Sequence, residues 1–148
     1  MGMLTFLGPG TASAEPQLPR ITQYSEDIGT FGDHSYCRGA FRVGMVAPNG
    51  KRGVVRLTLT SHGFTGDGAS WRRDPNCRFI TEITIFSATV VGQQTSIPVA
   101  FGPRRGEKVV RDIRTGSGPV SIGVLTYPSH NPVRLQQSFG AAFYTIVP

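Results

Sequence analysis

The sequence contains few charged residues and no long apolar run. Asp, Glu, Lys and Arg make up 16% of its 148 residues, below the roughly 25% that is usual for soluble domains. Because 39% of the residues are hydrophobic, the chain can form a core, and the class of highly charged disordered proteins is excluded. No stretch reaches the 18 or so apolar residues that a membrane-spanning helix needs. We therefore expect a single folded domain without a transmembrane segment.

Motifs that mark common enzyme classes are also missing. The Gly-x-Ser-x-Gly elbow of α/β-hydrolases has its closest match at 118–123, which is one residue too long and lies in an expected strand. The segment 66–71 lacks the third glycine of a dinucleotide-binding loop, and no Gly-Lys-Ser/Thr phosphate loop occurs. His34, His62 and His130 are too widely spaced for a short zinc motif. We predict neither a metal site nor a cofactor.

Glycoside hydrolases need two carboxylates that face one cleft. The plausible pair in this sequence is Glu82 and Glu107. Glu82 interrupts an apolar strand pattern, and Glu107 follows a glycine-rich loop. We expect a structural explanation for both, with Glu82 on a solvent face and Glu107 paired with a neighbouring arginine. Enzyme activity is therefore the less favoured class.

Glycine and proline, with 19 and 11 residues, are frequent enough to favour short strands over long helices. Alternating apolar residues predict strands at 41–46 and 54–60. Between them, Pro48-Asn49-Gly50-Lys51 is a strong signal for a hairpin turn, because Asn-Gly tolerates positive φ angles. A β-hairpin over this region is the most direct structural prediction.

The rest of the chain continues the strand pattern. Residues 77–91 are rich in β-branched and aromatic residues and predict one long strand with a bend near Ser87–Ala88. Shorter strands are expected at 96–101, 108–114, 120–127 and 138–147, and a single helical turn at 131–137. About seven strands predict an all-β fold, an antiparallel β-sandwich that is immunoglobulin-like or similar, with a small barrel as the alternative. We assign the sandwich domain to 37–148.

Two features suggest export. Ala12-Ser13-Ala14 follows a short apolar run, so residues 1–14 are interpreted as the remnant of a signal peptide, although no basic residue precedes the run. The even number of cysteines predicts a disulfide between Cys37 and Cys77, as is typical of oxidising compartments. Residues 15–36 are predicted to be a linker with one irregular strand at 21–24. We expect a secreted or extracytoplasmic protein associated with the cell envelope.

The order Cys37, Trp71, Cys77 resembles the disulfide packed on a tryptophan in immunoglobulin-type cores. Residues 61–76, which contain this tryptophan, show no periodicity and predict the longest loop. Loops between strands often carry binding residues, and Trp and Arg dominate the energy of many interfaces. The predicted binding residues are Trp71, Arg72, Arg73, His62 and Asp67. A purely structural interpretation, with Trp71 folded over the disulfide and the arginines solvated, is the alternative.

The formal net charge of +6, with thirteen arginines among fifteen cations, adds a class of partner. Guanidinium groups bind carboxylates and phosphates bidentately. Our leading hypothesis is a binding module for another protein or an anionic envelope polymer; nucleic acid is disfavoured because no recognition motif is present. Two alternatives stay open: a secreted hydrolase with a site around His62 and Asp67, and a structural subunit or inhibitor that pairs through exposed strand edges. The oligomeric state is not predicted.

Overall fold

The computed structural model describes residues 15–129 and 135–148. Strands account for 60% of them and one short helix for 5%, which confirms the all-β prediction. No helix in the described part of the chain is long and apolar enough to cross a membrane. The elements in chain order are β1 (Arg20–Gln23), β2 (Asp27–Phe31), β3 (Arg38–Val46), β4 (Val54–Thr65), α1 (Gly68–Arg73), β5 (Cys77–Ser87), β6 (Val91–Phe101), β7 (Lys108–Arg114), β8 (Gly118–Pro128) and β9 (Ala141–Val147).

Two antiparallel sheets pack face to face. The five-stranded sheet has the order β1-β9-β8-β5-β6, and the four-stranded sheet has the order β2-β3-β4-β7. Over the described residues, β1, β6, β2 and β7 are edge strands, so the sheets do not close into a barrel. The sandwich is therefore confirmed, with nine strands where about seven were expected.

The predicted hairpin is present as β3 and β4. Met45 pairs with Leu57 and Val43 with Leu59, and all four side chains are buried. Gly50, in the turn, has a φ of 72°, which fits the Asn-Gly signal in the sequence. The alternation of apolar and polar residues therefore set both the strand pairing and the buried face.

Two expectations about the strands were wrong in part. The single long strand predicted at 77–91 is interrupted after Ser87, and Val91 begins β6, which pairs antiparallel with β5. Residues 15–36, predicted to be a linker with one irregular strand, contribute β1 to one sheet and β2 to the other. Pairing with β9 and β3 supplies the order that these short segments lack by themselves. The helical turn expected at 131–137 falls mostly outside the described residues, and 135–137 are not helical.

The core between the sheets contains a group of phenylalanine rings and the predicted disulfide. Phe79 lies 5.6 Å from both Phe41 and Phe64, measured between ring centroids, so it contacts both strands of the β3–β4 hairpin across the core. Next to these rings, Cys37 and Cys77 form a fully buried disulfide with a Cα–Cα distance of 5.7 Å. Since Cys37 immediately precedes β3 and Cys77 begins β5, the bond joins the two sheets.

Glu82 lies on the outer face of its sheet, opposite Thr81 and Ile83, but it is not exposed to solvent as expected. It is only 5% exposed on β5, where it pairs with Ser96 of β6 and Leu125 of β8. Glu107 is also not paired with an arginine; its carboxylate accepts a hydrogen bond from the backbone N–H of Gly102 at 3.1 Å. Because β5 is an interior strand, neighbouring strands flank Glu82 on both sides, and the sequence gives no sign of that position.

Candidate functional site

The segment 61–76 is more ordered than the long loop that the sequence predicts. Residues 61–65 continue β4, because Ser61 and Phe64 still face the core. Helix α1 then occupies 68–73, and only short connections remain on each side of it. His62 is therefore a strand residue, whereas Trp71, Arg72 and Arg73 lie on α1.

Trp71 is half-buried and packs at the margin of the core. Its ring lies 6.0 Å from the ring of His34. A Cβ atom at Gly66 would come within 2.7 Å of the indole, so this glycine allows the close approach of the ring. The tryptophan of immunoglobulin cores lies on a strand. Trp71 instead lies on helix α1, and its contact with the core supports the segment 66–76.

A polar cluster fixes the connection between β2 and β3 to the residues that follow α1. His34 makes a 2.9 Å hydrogen bond with Asp33 through Nδ1 and a 3.0 Å hydrogen bond with the backbone oxygen of Asp74 through Nε2. Arg78 donates to the Asp74 carboxylate at 2.8 and 3.2 Å. The backbone N–H of Arg78 donates to Asp33 at 3.0 Å. These contacts surround the disulfide and hold both connections in place.

The cluster shifts the pKa values of its members. The hydrogen bond with Asp33 raises the pKa of His34, and this effect outweighs the opposing effect of burial. For Asp33, burial favours the neutral acid, but the hydrogen bonds from His34 and from the Arg78 backbone prevail and lower its pKa. The Arg78 guanidinium lowers the pKa of Asp74. The cluster therefore favours a protonated imidazole next to ionised carboxylates.

Asp33, His34 and Cys37 place potential metal ligands within 4.8 Å of one another. Cys37, however, forms the disulfide with Cys77 and has no thiolate to offer. Only one carboxylate and one imidazole remain, and both already make hydrogen bonds within the protein. A zinc site needs three or four such ligands, so the arrangement does not fit a metal centre.

We use the term α1 end for the segment 66–76, which includes helix α1, together with the connections 32–37 and 102–107. The last of these lies against β4: the N–H of Phe64 donates to the oxygen of Gly102 at 3.0 Å, and the N–H of Gly106 donates to the oxygen of Ser61 at 2.8 Å. A Cβ atom at Gly102 would lie 3.2 Å from the oxygen of Pro75, just after α1. The connection that carries Arg104 and Arg105 therefore lies close to the segment that carries Arg72 and Arg73.

Arginines in the α1 end, or directly next to it on β3 and β5, fall into two groups. Arg38 forms an ion pair with Asp67 at 3.2 Å, and Arg78 forms one with Asp74 at 2.8 Å. The second group has exposed side chains without a hydrogen bond or ion pair among residues 15–129 and 135–148. Its members are Arg72, Arg73, Arg104 and Arg105. These four guanidinium groups are the part of the α1 end that can bind an external anion.

The two residues of the alternative hydrolase site have separate partners. His62 lies 2.8 Å from the carboxylate of Asp27, which also accepts two hydrogen bonds from Arg42. Asp67 is engaged by Arg38 instead. Of the predicted binding residues, the structure groups Asp67, Trp71, Arg72 and Arg73 around α1, while His62 belongs to the outer face of the four-stranded sheet.

Sequence reasoning missed the cluster around Asp33, His34 and Arg78. One signal was available: Asp74 and Arg78 are four residues apart and flank Cys77. The contacts of Asp33 with Arg78 span 45 residues, and spacing in the chain does not indicate them.

No protein-family model, curated protein or solved structure matches this chain. The interpretation of the site therefore rests on its own geometry and chemistry.

Proposed function

We propose that this small disulfide-linked β-sandwich is an exported binding module whose α1 end holds an anionic polymer of the cell envelope. The observation that carries the proposal is the set of four exposed arginines, Arg72, Arg73, Arg104 and Arg105, on two connections that lie together. Nearby carboxylates at Asp67 and Asp74 are already occupied by Arg38 and Arg78, so they do not neutralise these four charges.

Multiple guanidinium groups suit a polyanion for physical reasons. Each one presents a planar fork that binds a carboxylate or phosphate group with two hydrogen bonds. Several weak contacts along one polymer add up, and the binding should weaken steeply with ionic strength because exposed charges are screened. Trp71 next to Arg72 and Arg73 adds an aromatic surface of the kind that is frequent at interfaces.

The rigidity of the α1 end also supports binding. The disulfide and the contacts of His34 with Asp33 and Asp74 hold the connections in one arrangement before any ligand arrives. A preorganised site loses less conformational entropy on binding than a mobile loop does.

Export is the second part of the proposal. A buried disulfide between Cys37 and Cys77 is stable in oxidising compartments and is rare in the cytosol. The expected signal-peptide remnant at 1–14 lies outside the described residues. To test this part, the protein is isolated from its source, unfolded without reductant and titrated for thiols. We expect no reactive thiol, and two reactive thiols would contradict export.

The binding surface is tested by retention on immobilised dextran sulfate, with elution by a salt gradient. Two double variants, Arg72→Ala with Arg73→Ala and Arg104→Ala with Arg105→Ala, should each elute at clearly lower salt than the wild type. The matched control is Arg52→Ala with Arg114→Ala, which removes the same charge near the β3–β4 turn, where both arginines are exposed. Equal losses in all three variants would show that retention follows net charge alone and would remove the α1 end as the site.

An acidic protein partner is distinguished in the same experiment. If the wild type and the Arg72→Ala, Arg73→Ala variant elute from dextran sulfate at the same salt concentration, α1 does not bind the polymer. Envelope fractions with and without protease treatment then show whether the captured ligand is a protein, because digestion removes only a protein ligand.

A further inference from the structure

The outer face of the five-stranded sheet carries large exposed apolar side chains. One cross-strand row follows the register through all five strands: Ile21 of β1 pairs with Tyr144, Tyr144 with Ser121, Ser121 with Phe86, and Phe86 with Val91 of β6. In the adjacent row, Ile146 pairs with Pro119. We call this surface the apolar face, defined by Ile21, Phe86, Val91, Tyr144 and Ile146.

These side chains are exposed to an unusual degree for large apolar residues. Val91 is 81% exposed, Ile21 74%, Ile146 68%, Phe86 50% and Tyr144 45%. A shallow cavity of about 650 Å³ lies over Ile21, Phe86, Tyr144 and Ile146. With Pro19 and Pro119 at its margin, the surface is continuous and apolar, and such a patch on a monomer marks an interaction site.

The rows that carry these side chains contain no acidic or basic residue, and Glu82, in the row that follows Thr84, is only 5% exposed. The row next to Tyr144 runs Gln23, Ala142, Gly123, Thr84 and Gln94 across the same five strands, and none of these residues ionises. Arg20, at the edge of the face, is engaged by Glu26 at 3.0 Å and lies 5.0 Å from the Phe143 ring. A partner of this face is therefore recognised by shape and apolar contact, and not by charge.

The two rows differ in height. The row through Tyr144 and Phe86 is bulky on either side of Ser121, whereas the row two residues further along the strands has Ala142, Gly123 and Thr84 at its centre. The rows lie about 7 Å apart, the distance of two residues along a strand. A ridge beside a trough is complementary to itself when it is turned by a two-fold axis, so the ridge of one copy fits the trough of another.

From this geometry we infer that the apolar face is the interface of a homodimer, in which two copies pack their five-stranded sheets face to face. A stable interface takes roughly 800 Å² from each partner, and five large side chains that are 45 to 81% exposed provide its apolar centre. Sheets pack face to face about 10 Å apart with interdigitating side chains. Because these rows are uncharged and Arg20 at their edge is paired with Glu26, two copies with a net charge of +6 can meet here.

The dimer leaves the α1 ends free. The apolar face is centred near the β5–β6 turn, around Phe86 and Val91, whereas α1 precedes Cys77 at the other end of β5. Phe86 lies nine positions after Cys77, which corresponds to about 30 Å of extended chain. Two copies would then present two arginine-rich ends to one polymer, and a bivalent module binds a repeating ligand more tightly than a single site does.

The test is the mass of the full chain in solution, measured by sedimentation over a range of concentrations with added salt. We expect a species of about twice 15.9 kDa at micromolar concentration. Ile146→Arg should raise the dimer dissociation constant at least about tenfold, because an unpaired guanidinium would be buried in the interface. The matched control is Val110→Arg on β7, where Val110 is 44% exposed on the other sheet, and this variant should stay dimeric.

Each contrary outcome is informative. A wild-type chain that is monomeric up to about 100 μM, or a dimer that both variants weaken equally, would overturn the inference. Zwitterionic lipid vesicles provide the other arm: vesicle binding by a monomer that Ile146→Arg abolishes would assign the apolar face to a lipid surface instead. Circular dichroism of both variants confirms that the sandwich is intact, and these results are independent of the dextran sulfate test.

Discussion

The outer faces of the two sheets have opposite characters. On the four-stranded sheet, Asp27 binds Arg42 and His62, while Asp112 and Glu15 bind Arg56. We call this the charged face. Every one of its acids named here has a basic partner within 3.3 Å, whereas the apolar face of the other sheet carries no exposed charge along its two central rows.

The two sheets have similar inner faces and different outer faces. Both sheets bury one face against the common core, so the inner faces are alike. The outer faces are free to differ, since neither is needed for the core. Paired charges keep one face compatible with water, and the proposed dimer contact uses the uncharged face.

The largest effect is expected from the bond that joins the two sheets. Replacing Cys37 and Cys77 with Ser should lower the free energy of unfolding by roughly 4 kcal/mol, since the bond closes a long loop in the unfolded chain. Urea unfolding measures this value, and reduced wild-type protein is the control. If the loss is below about 1 kcal/mol, the hydrophobic core is sufficient to hold the two sheets together without the disulfide.

Gly32 should be the next most sensitive position. A Cβ atom at Gly32 would overlap the sulfur atoms of both Cys37 and Cys77, so Gly32→Ala should destabilise the sandwich by about 1 to 3 kcal/mol through overpacking. Gly29 is a matched control on the adjacent β2, because its nearest atom to an added Cβ is 3.9 Å away. Urea midpoints of the two variants give the comparison, and equal midpoints would contradict the crowding argument.

Acid should weaken the charged face. The Arg42 side chain and then His62 lower the pKa of Asp27 to about 2, and Arg56 with Lys51 lowers the pKa of Asp112 to about 2. Because both values are below the usual 3.8, this stabilisation is present above about pH 4 and is lost as the pH falls from about 4 to 2. The urea midpoint measured from pH 7 to pH 2 should fall accordingly.

The double variant Asp27→Asn with Asp112→Asn identifies the source of that acid sensitivity. It should start with a lower midpoint at pH 7 and lose less on acidification than the wild type. Some loss should persist, because the pKa values of Asp33 and Asp74 are also lowered. An unchanged acid response would show that the charged face does not cause it.

The smallest effect should come from the apolar face. Ile146→Ser, measured in dilute solution where the chain is monomeric, should change the free energy of unfolding by no more than about 0.5 kcal/mol, because the side chain is already exposed. Val110→Ser on the other sheet is the matched substitution. A loss above 1 kcal/mol for Ile146→Ser alone would show that this residue contributes to the fold of the monomer.

Much of the fold could be predicted because strand periodicity is local. The positions of Val43, Met45, Leu57 and Leu59 in a two-residue repeat indicate their buried face without any knowledge of the partner sheet. The break after Ser87 was harder to place, because Val90 and Val91 continue the apolar composition of β5 even though the chain reverses there. Apolar content by itself does not distinguish one bent strand from two paired strands.

The candidate site was predicted in part for the same reason. Trp71, Arg72 and Arg73 are neighbours in the chain, so their grouping on α1 follows from the sequence. The approach of the connection carrying Arg104 and Arg105 depends on contacts such as that between Phe64 and Gly102, which are 38 positions apart. Likewise, His62 binds Asp27 instead of a residue in its own segment because β3 brings β2 and β4 to one sheet.

The amino-acid sequence alone determined the all-β class, the β3–β4 hairpin and the pairing of the two cysteines, since alternation, turn residues and an even cysteine count act locally or by elimination. Only the tertiary structure decided which exposed side chains form a common surface. Ile21 and Val91 lie at opposite ends of one row because three other strands come between them in the sheet. Long-range strand order sets such neighbours, and it depends on how whole sheets bury their apolar faces together.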